Sequence, residues 1–181
     1  MKQNYQINFA AQAIALACFW AGLTGNLSAQ SWTNTTLSAN QRATFLLAAM
    51  SLDEKIAMVH GVNGPYVGNI PANSRLGIPA LSLEDGPAGI GDGAKNVTAF
   101  PAPIAIAASW DVSLARQFGE ALGSEARGKG VQVLLAPMMN MARAYQDGRA
   151  FEGYGEEPVL SAAMAAAEVQ GIQSQRVIAT A

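Results

Sequence analysis

Two short stretches of this 181-residue sequence gather residue types suited to chemistry. In the first, an apolar run over 78–83 reads as a strand that enters Glu84-Asp85-Gly86-Pro87-Ala88-Gly89. A carboxylate held there by a rigid turn can accept hydrogen bonds from two adjacent sugar hydroxyls. Asp-Gly-Pro is equally the composition of a plain turn, and spacing alone does not choose between the two. The second stretch, 147–158, places Arg149, Phe151, Glu152 and Tyr154 among three glycines and further acids, in a loop too long for a mere connector. Arg149 offers five fixed donors for hydroxyls or a carboxylate. Phe151 and Tyr154 are able to stack on a sugar face or simply to pack. Paired carboxylates suit glycosidic chemistry, yet Glu156 and Glu157 stand just before Pro158, where acids cap a coming helix.

The elements that must position these loops follow from periodicity and caps. Ser38 precedes a helix over 39–49, and Ser51-Leu52-Asp53-Glu54 is a capping box for a second helix that stops at Gly61. His60, the only histidine, closes that helix, where a structural role near the negative helix end fits best. A Gly/Asn/Pro-rich stretch over 61–79 reads as loop. Beyond it strand and helix alternate. Ile104–Ala108 is a second apolar stretch; Asp111 can cap a helix over 112–129 whose period is marked by Leu114, Phe118, Ala121, Leu122 and Glu125. Val131–Leu135 is a β-branched run bounded by Gly130 and Pro137, a buried strand. A helix over 158–175 starts on Pro158, and 177–181 begins another strand. This is the grammar of a parallel sheet with crossover helices, and a last strand with no crossover after it reads as a truncated α/β domain.

Composition removes several function classes. Half of the residues are hydrophobic and 13% are charged, which supports a packed core. The net charge is −2, with no basic run to neutralise phosphate, so no nucleic-acid partner is expected. Residues 1–29 read as an export signal: Lys2, then an apolar segment over 10–23, then Leu27-Ser28-Ala29 before a cut after Ala29. The apolar run is shorter than the roughly 20 residues that span a bilayer; a lipoprotein signal around Cys18 is the minor alternative. The expectation is a periplasmic or secreted protein with no membrane attachment after cleavage. Cys18 is the only cysteine and would leave with the signal, so no disulfide, cysteine nucleophile or thiolate metal site is expected. One histidine argues against a Ser–His–Asp triad or a multi-histidine zinc site.

Several motifs in order carry a resemblance. Leu81-Ser82-Leu83-Glu84-Asp85-Gly86-Pro87, Thr98-Ala99-Phe100-Pro101-Ala102-Pro103, Ser109-Trp110-Asp111, the run from Gly119 to Leu135, and Gly148-Arg149 with Glu152-Gly153-Tyr154-Gly155-Glu156-Glu157-Pro158 closely resemble glycoside hydrolase family 3. The resemblance covers 38–181. It implies an α/β fold, the N-terminal portion of a (β/α)8 TIM-like barrel, incomplete here; the composition of the preceding residues gives the signal at 1–29 and a polar, unstructured lead-in at 30–37. It also implies a retaining, exo-acting β-glycosidase, most simply a β-glucosidase acting on a small β-glycoside or oligosaccharide without a cofactor or metal. A β-xylosidase or N-acetyl-β-hexosaminidase of the same family, and a non-catalytic sugar-binding remnant, are the rivals.

Residue by residue, the resemblance matches Asp85 to the aspartate that binds hydroxyls of the terminal sugar. It matches Arg149 to the arginine beside it, and Glu152 to a loop acid that orients that arginine. No catalytic residue is expected within the chain: the family's aspartate nucleophile and acid/base glutamate belong to later motifs, and Ser109-Trp110-Asp111 has the wrong order to be the former. A Lys-His pair would follow the strand at 177–181. Gly91 stands where the family commonly carries an arginine, which puts one sugar contact or loop brace in doubt.

Overall fold

A computed structural model describes residues 30–91, 93–144 and 146–181. The expected export signal lies outside the described residues. The chain divides after Met50 into two compact units, each described by itself.

In the first, Ser31–Thr33 form a 3-10 turn where an unstructured lead-in was expected, and helix α1 follows at Ala39–Ala49. Trp32 explains the difference: its carbonyl accepts from Arg42 Nε of α1 at 2.6 Å, so the polar segment is tied to the helix. Ser38 caps α1 through a reciprocal box with Gln41.

The second unit begins with the expected capping box, Ser51 with Glu54, at the start of α2 (Leu52–His60). Glu54 also accepts from Asn73 and pairs with Arg75, so one carboxylate both caps α2 and fastens the loop ahead of the sheet. The Arg75 guanidinium, then Asn73 and the Ser51 amide, hold that carboxyl well below the usual range. His60 closes the helix, its Nδ1 2.7 Å from the Gly61 carbonyl, in keeping with the structural role expected for it.

Four strands form one open sheet in the order β1 (Gly68–Ile70), β2 (Leu81–Asp85), β3 (Val133–Leu135), β4 (Ile178–Ala179). The parallel expectation holds for β2, β3 and β4; β1 runs antiparallel to β2. The sequence reading treated 61–79 as loop throughout. Strand β1 forms there because the chain turns back through 71–80 without a crossover helix and meets the free edge of β2, and such a connection can only pair antiparallel.

Helix α3 (Pro103–Ala107) occupies the apolar stretch before Trp110, with Pro103 in its first turn. Asp111 caps α4 (Val112–Gly128), accepting from Ser113 and Leu114 at 2.8 and 3.2 Å. Glu157 caps α5 (Pro158–Ser174) through Val159 and Leu160. Phe118 and Leu122 of the expected α4 stripe are buried, whereas Leu114 and Ala121 are exposed. Together with Leu134, Met164 and Ile172 they form the core beneath the sheet, each large apolar side chain contributing roughly 1.5–3 kcal/mol by leaving water. Helices α4 and α5 touch through backbone: a Cβ on Gly119 would lie 2.3 Å from the Glu168 carbonyl oxygen, and one on Gly171 2.3 Å from that of Arg116. Among the described residues no helix is long and apolar enough to cross a membrane.

Candidate functional site

Strands β2 and β3 are parallel neighbours, and Asp85 is paired in register with Leu135. Their following loops therefore leave from the same edge, the carboxyl ends of the strands, where α/β sheets place their sites. A cleft of about 330 Å³ opens there, lined among others by Asp85, Gly91, Thr98, Phe151 and Glu152. That volume is at the lower end of the roughly 300–1,000 Å³ usual for small-molecule sites.

The first loop is shaped by its backbone. The Asp85 carbonyl accepts from Gly91 N at 2.9 Å, and that of Ala88 from Phe100 N at 3.1 Å. Gly89 has φ +131°, and a Cβ there would lie 2.6 Å from the Thr98 carbonyl oxygen, so glycine is required twice over. Gly86 faces Leu134 Cδ1, which would be 2.5 Å from an added Cβ. Gly91 is different: its Cβ would meet Asp85 Oδ2 at 3.5 Å, an ordinary contact. Helix α4 braces the outer limb of the loop, where Glu125 accepts from Thr98 N and Oγ1 at 3.0 to 3.1 Å. Lys129 Nζ donates to the carbonyls of Lys95 and Asn96 at 2.8 and 2.6 Å.

Beneath Asp85 lies Glu84, 3% exposed, whose Oε1 accepts from the Asp85 amide at 3.1 Å. Sequence reasoning passed over this acid. Its signal was present, since in a strand ending at Asp85 the preceding side chain must point to the opposite face.

On the second loop, Arg149 and Glu152 meet directly. Arg149 Nε lies 3.0 and 3.1 Å from the two carboxylate oxygens and Nη2 lies 2.6 Å from Oε2. Asp147 Oδ1 accepts from the Arg149 amide at 3.0 Å. The arginine side chain remains 62% exposed and the glutamate 15%. Bonding to Glu152 and that residue's charge raise the Arg149 pKa, and the charges of Asp85 and Asp147 add to it. Asp85 is thus close enough for its charge to be felt at the guanidinium. An exposed pair of this kind adds little to stability. Its effect is to fix where the guanidinium points.

The two aromatics of this loop separate. Phe151 is half exposed and lines the cleft, while Tyr154 is 2% exposed and belongs to the core. The Tyr154 hydroxyl donates to Glu168 of α5, a fully buried acid that the sequence reading did not single out. Burial, then the Glu168 charge, raises the tyrosine pKa. Burial also pushes the Glu168 carboxyl up to about 7. Of the two acids before Pro158, Glu157 caps the helix and Glu156 stands exposed.

A carboxylate, an arginine held by a second acid and an aromatic thus stand on the loops at the carboxyl edge of an open α/β sheet. The family profile described as the glycosyl hydrolase family 3 N terminal domain matches residues 27–181, and the chain belongs to that family. It is 41% identical over 140 residues to a β-glucosidase from Rhizobium radiobacter, covering 75% of this chain and 17% of that protein. It is 40% identical over 153 residues to probable β-glucosidase F from Aspergillus fumigatus, covering 82% and 18%. Among solved structures it resembles a β-glucosidase from Streptomyces venezuelae in complex with D-glucose (TM-score 0.73, 40% identity, 76% of this chain and 18% of that one). It also resembles β-glucosidase 3B from Thermotoga neapolitana in complex with α-D-glucose (TM-score 0.68, 39% identity, 76% and 22%). The chain spans less than a quarter of the length of each of these four proteins.

Proposed function

We propose that these residues supply part of the terminal-sugar pocket of a retaining, exo-acting β-glycosidase, a β-glucosidase, on the first portion of a (β/α)8-type barrel. The observation that carries the reading is the cleft at the carboxyl ends of β2 and β3, lined by Asp85 and by Glu152, the acid that holds Arg149. Asp85 accepts from two hydroxyls of the terminal sugar, Arg149 donates to a third oxygen, and Glu152 fixes the arginine. Phe151 offers its ring to the apolar face of the sugar. These are positioning roles, which lower the barrier by holding the reacting carbon in place. The two-carboxylate chemistry of the retaining reaction belongs to other residues of the gene product. Names and bound sugars of the relatives favour glucose. Export to the periplasm or medium is part of the same reading, resting on the signal-like 1–29.

The test is a panel of aryl β-glycosides presented to the full-length gene product. Turnover is expected to be greatest on the glucoside, and Asp85→Asn is expected to lower kcat/KM by about 100-fold, two charge-assisted hydrogen bonds' worth. Preference for the xyloside or the N-acetylhexosaminide would move the substrate to a rival of the same family. Sugar binding without turnover on any member would support the non-catalytic alternative. The 181 residues alone are expected to give no turnover above a no-protein control.

A further inference from the structure

The Arg149–Glu152 pair stands on a long loop whose only regular element among the described residues is the 3-10 turn Ala150–Glu152. An exposed ion pair does not hold such a loop in place, so something else must. Two residues beyond Glu152 the chain goes inward. Gly153 is buried, and a Cβ on it would lie 3.0 Å from the Asn140 carbonyl oxygen, so the two limbs of the loop are in contact there. Tyr154 then enters the core and donates to Glu168 Oε2, well inside α5. The acceptor is itself fixed, since α4 lies against its backbone at Gly119.

Glu168 is an odd choice for its position. Within one turn of it on α5 the buried residues are Met164, Ala165, Ala167, Gly171 and Ile172, none with a polar side chain; Ser161 is the other buried polar residue of the helix, and the exposure of Glu168 is 0%. Its second oxygen, Oε1, has no hydrogen-bond partner among the described residues. Burying a carboxyl with one oxygen unsatisfied carries a desolvation cost, and an apolar residue would pack there without it. What the acid provides and an apolar residue would not is the bond to Tyr154, the only hydrogen bond between the side chains of this loop and those of α5 among the described residues.

We infer that the buried Tyr154–Glu168 pair is the positioning device of the Arg149 loop: it pins the chain two residues beyond Glu152, which lines the cleft, and so sets where the guanidinium held by Glu152 stands. Neither residue touches the sugar; both act through Arg149. The inference rests on the glycosidase reading given above.

The experiment uses the full-length gene product, with an aryl β-glucoside as substrate and glucose as competing product. Tyr154→Phe keeps the ring in the core and removes the bond. It is expected to raise KM, and the inhibition constant for glucose, by about ten-fold, the worth of one such hydrogen bond, with kcat changed less than about two-fold. Glu168→Leu is expected to do the same. Glu168→Gln retains a neutral acceptor and is expected to restore KM to within about two-fold of wild type. Met164→Ala opens a cavity on the same helix and serves as the control for a structural effect: it is expected to lower Tm at least as far and leave KM unchanged. An active wild type whose KM is indifferent to Tyr154→Phe and Glu168→Leu overturns this inference alone, as does a KM raised equally by Met164→Ala. A folded wild type that neither cleaves the glucoside nor binds glucose overturns the glycosidase reading, and this inference with it.

Discussion

The loop after β2 reaches the cleft on its backbone, with Gly86 and Gly89 packed so closely that a methyl group fits at neither without movement. The loop after β3 lines the same cleft with Phe151 and Glu152 and is held by side chains, through Arg149 with Glu152 and Tyr154 with Glu168. Around Gly86 and Gly89 the first loop is fixed by close packing of the chain, while Glu125 and Lys129 brace its outer limb. The second depends on groups whose protonation and hydrogen bonding can change. Rigidity of the first kind is insensitive to pH and intolerant of substitution. Rigidity of the second kind is the reverse.

This contrast is open to measurement, and the largest effect is expected on the backbone-built side. Gly89→Ala places a Cβ 2.6 Å from a carbonyl oxygen at a φ of +131°. Overpacking and strain together predict a loss of about 3 kcal/mol or more, read as a lower urea midpoint of the gene product. Stability kept within about 1 kcal/mol would mean that the first loop yields more easily than its geometry implies.

The next effect belongs to the other loop. The Glu168 carboxyl sits at about 7 against an ordinary 4.5, raised by burial. The folded protein therefore holds that proton more tightly than the unfolded chain does. Stability that is fully present below about pH 4.5 declines as the pH rises, until the group is ionised in both states above about 7. Integrated over that window, the loss is about 3 kcal/mol. Glu168→Gln carries no titrating proton and is expected to flatten this part of the profile. Urea titrations of wild type and variant at pH 5 and pH 8 check it, and parallel profiles would sink the idea.

The smallest effect sharpens the comparison from within the first loop. Gly91→Ala meets only ordinary contact beside Asp85, at 3.5 Å, so stability is expected to shift by less than about 0.5 kcal/mol. Any change in the kcat/KM ratio between glucoside and xyloside would then report space at the cleft and not a damaged loop.

The legible parts of the fold were those written over a few neighbouring residues. Ser38, Ser51, Asp111 and Glu157 announce their helices because a cap needs only the next three residues. Asp85 and Arg149 were legible as site candidates for a similar reason: each stands in a turn or loop directly after a strand signal. Their nearness in space came from the family resemblance alone, because in the residues themselves it depends on β2 pairing with β3 across an intervening loop, α3 and α4. Strand β1 was missed because Gly68-Asn69-Ile70 has no alternating pattern of its own and becomes a strand only against the edge of β2. Tyr154 was open between stacking and packing until its distant partner was known. Glu168 lay inside an alanine-rich helical stretch that gives no local hint of where a lone acid points.

The glycine contact between α4 and α5 has a consequence for the order in which the molecule assembles. With Gly119 and Gly171 each lying against the other helix's backbone, the pair closes without waiting for distant chain. Helix α4, strand β3 and helix α5 follow one another in the chain, so their contact spans roughly fifty residues and needs nothing beyond α5. A nascent chain emerging from the ribosome can therefore dock α5 on α4 as soon as α5 has cleared the tunnel, presenting later strands with a finished template to pair against.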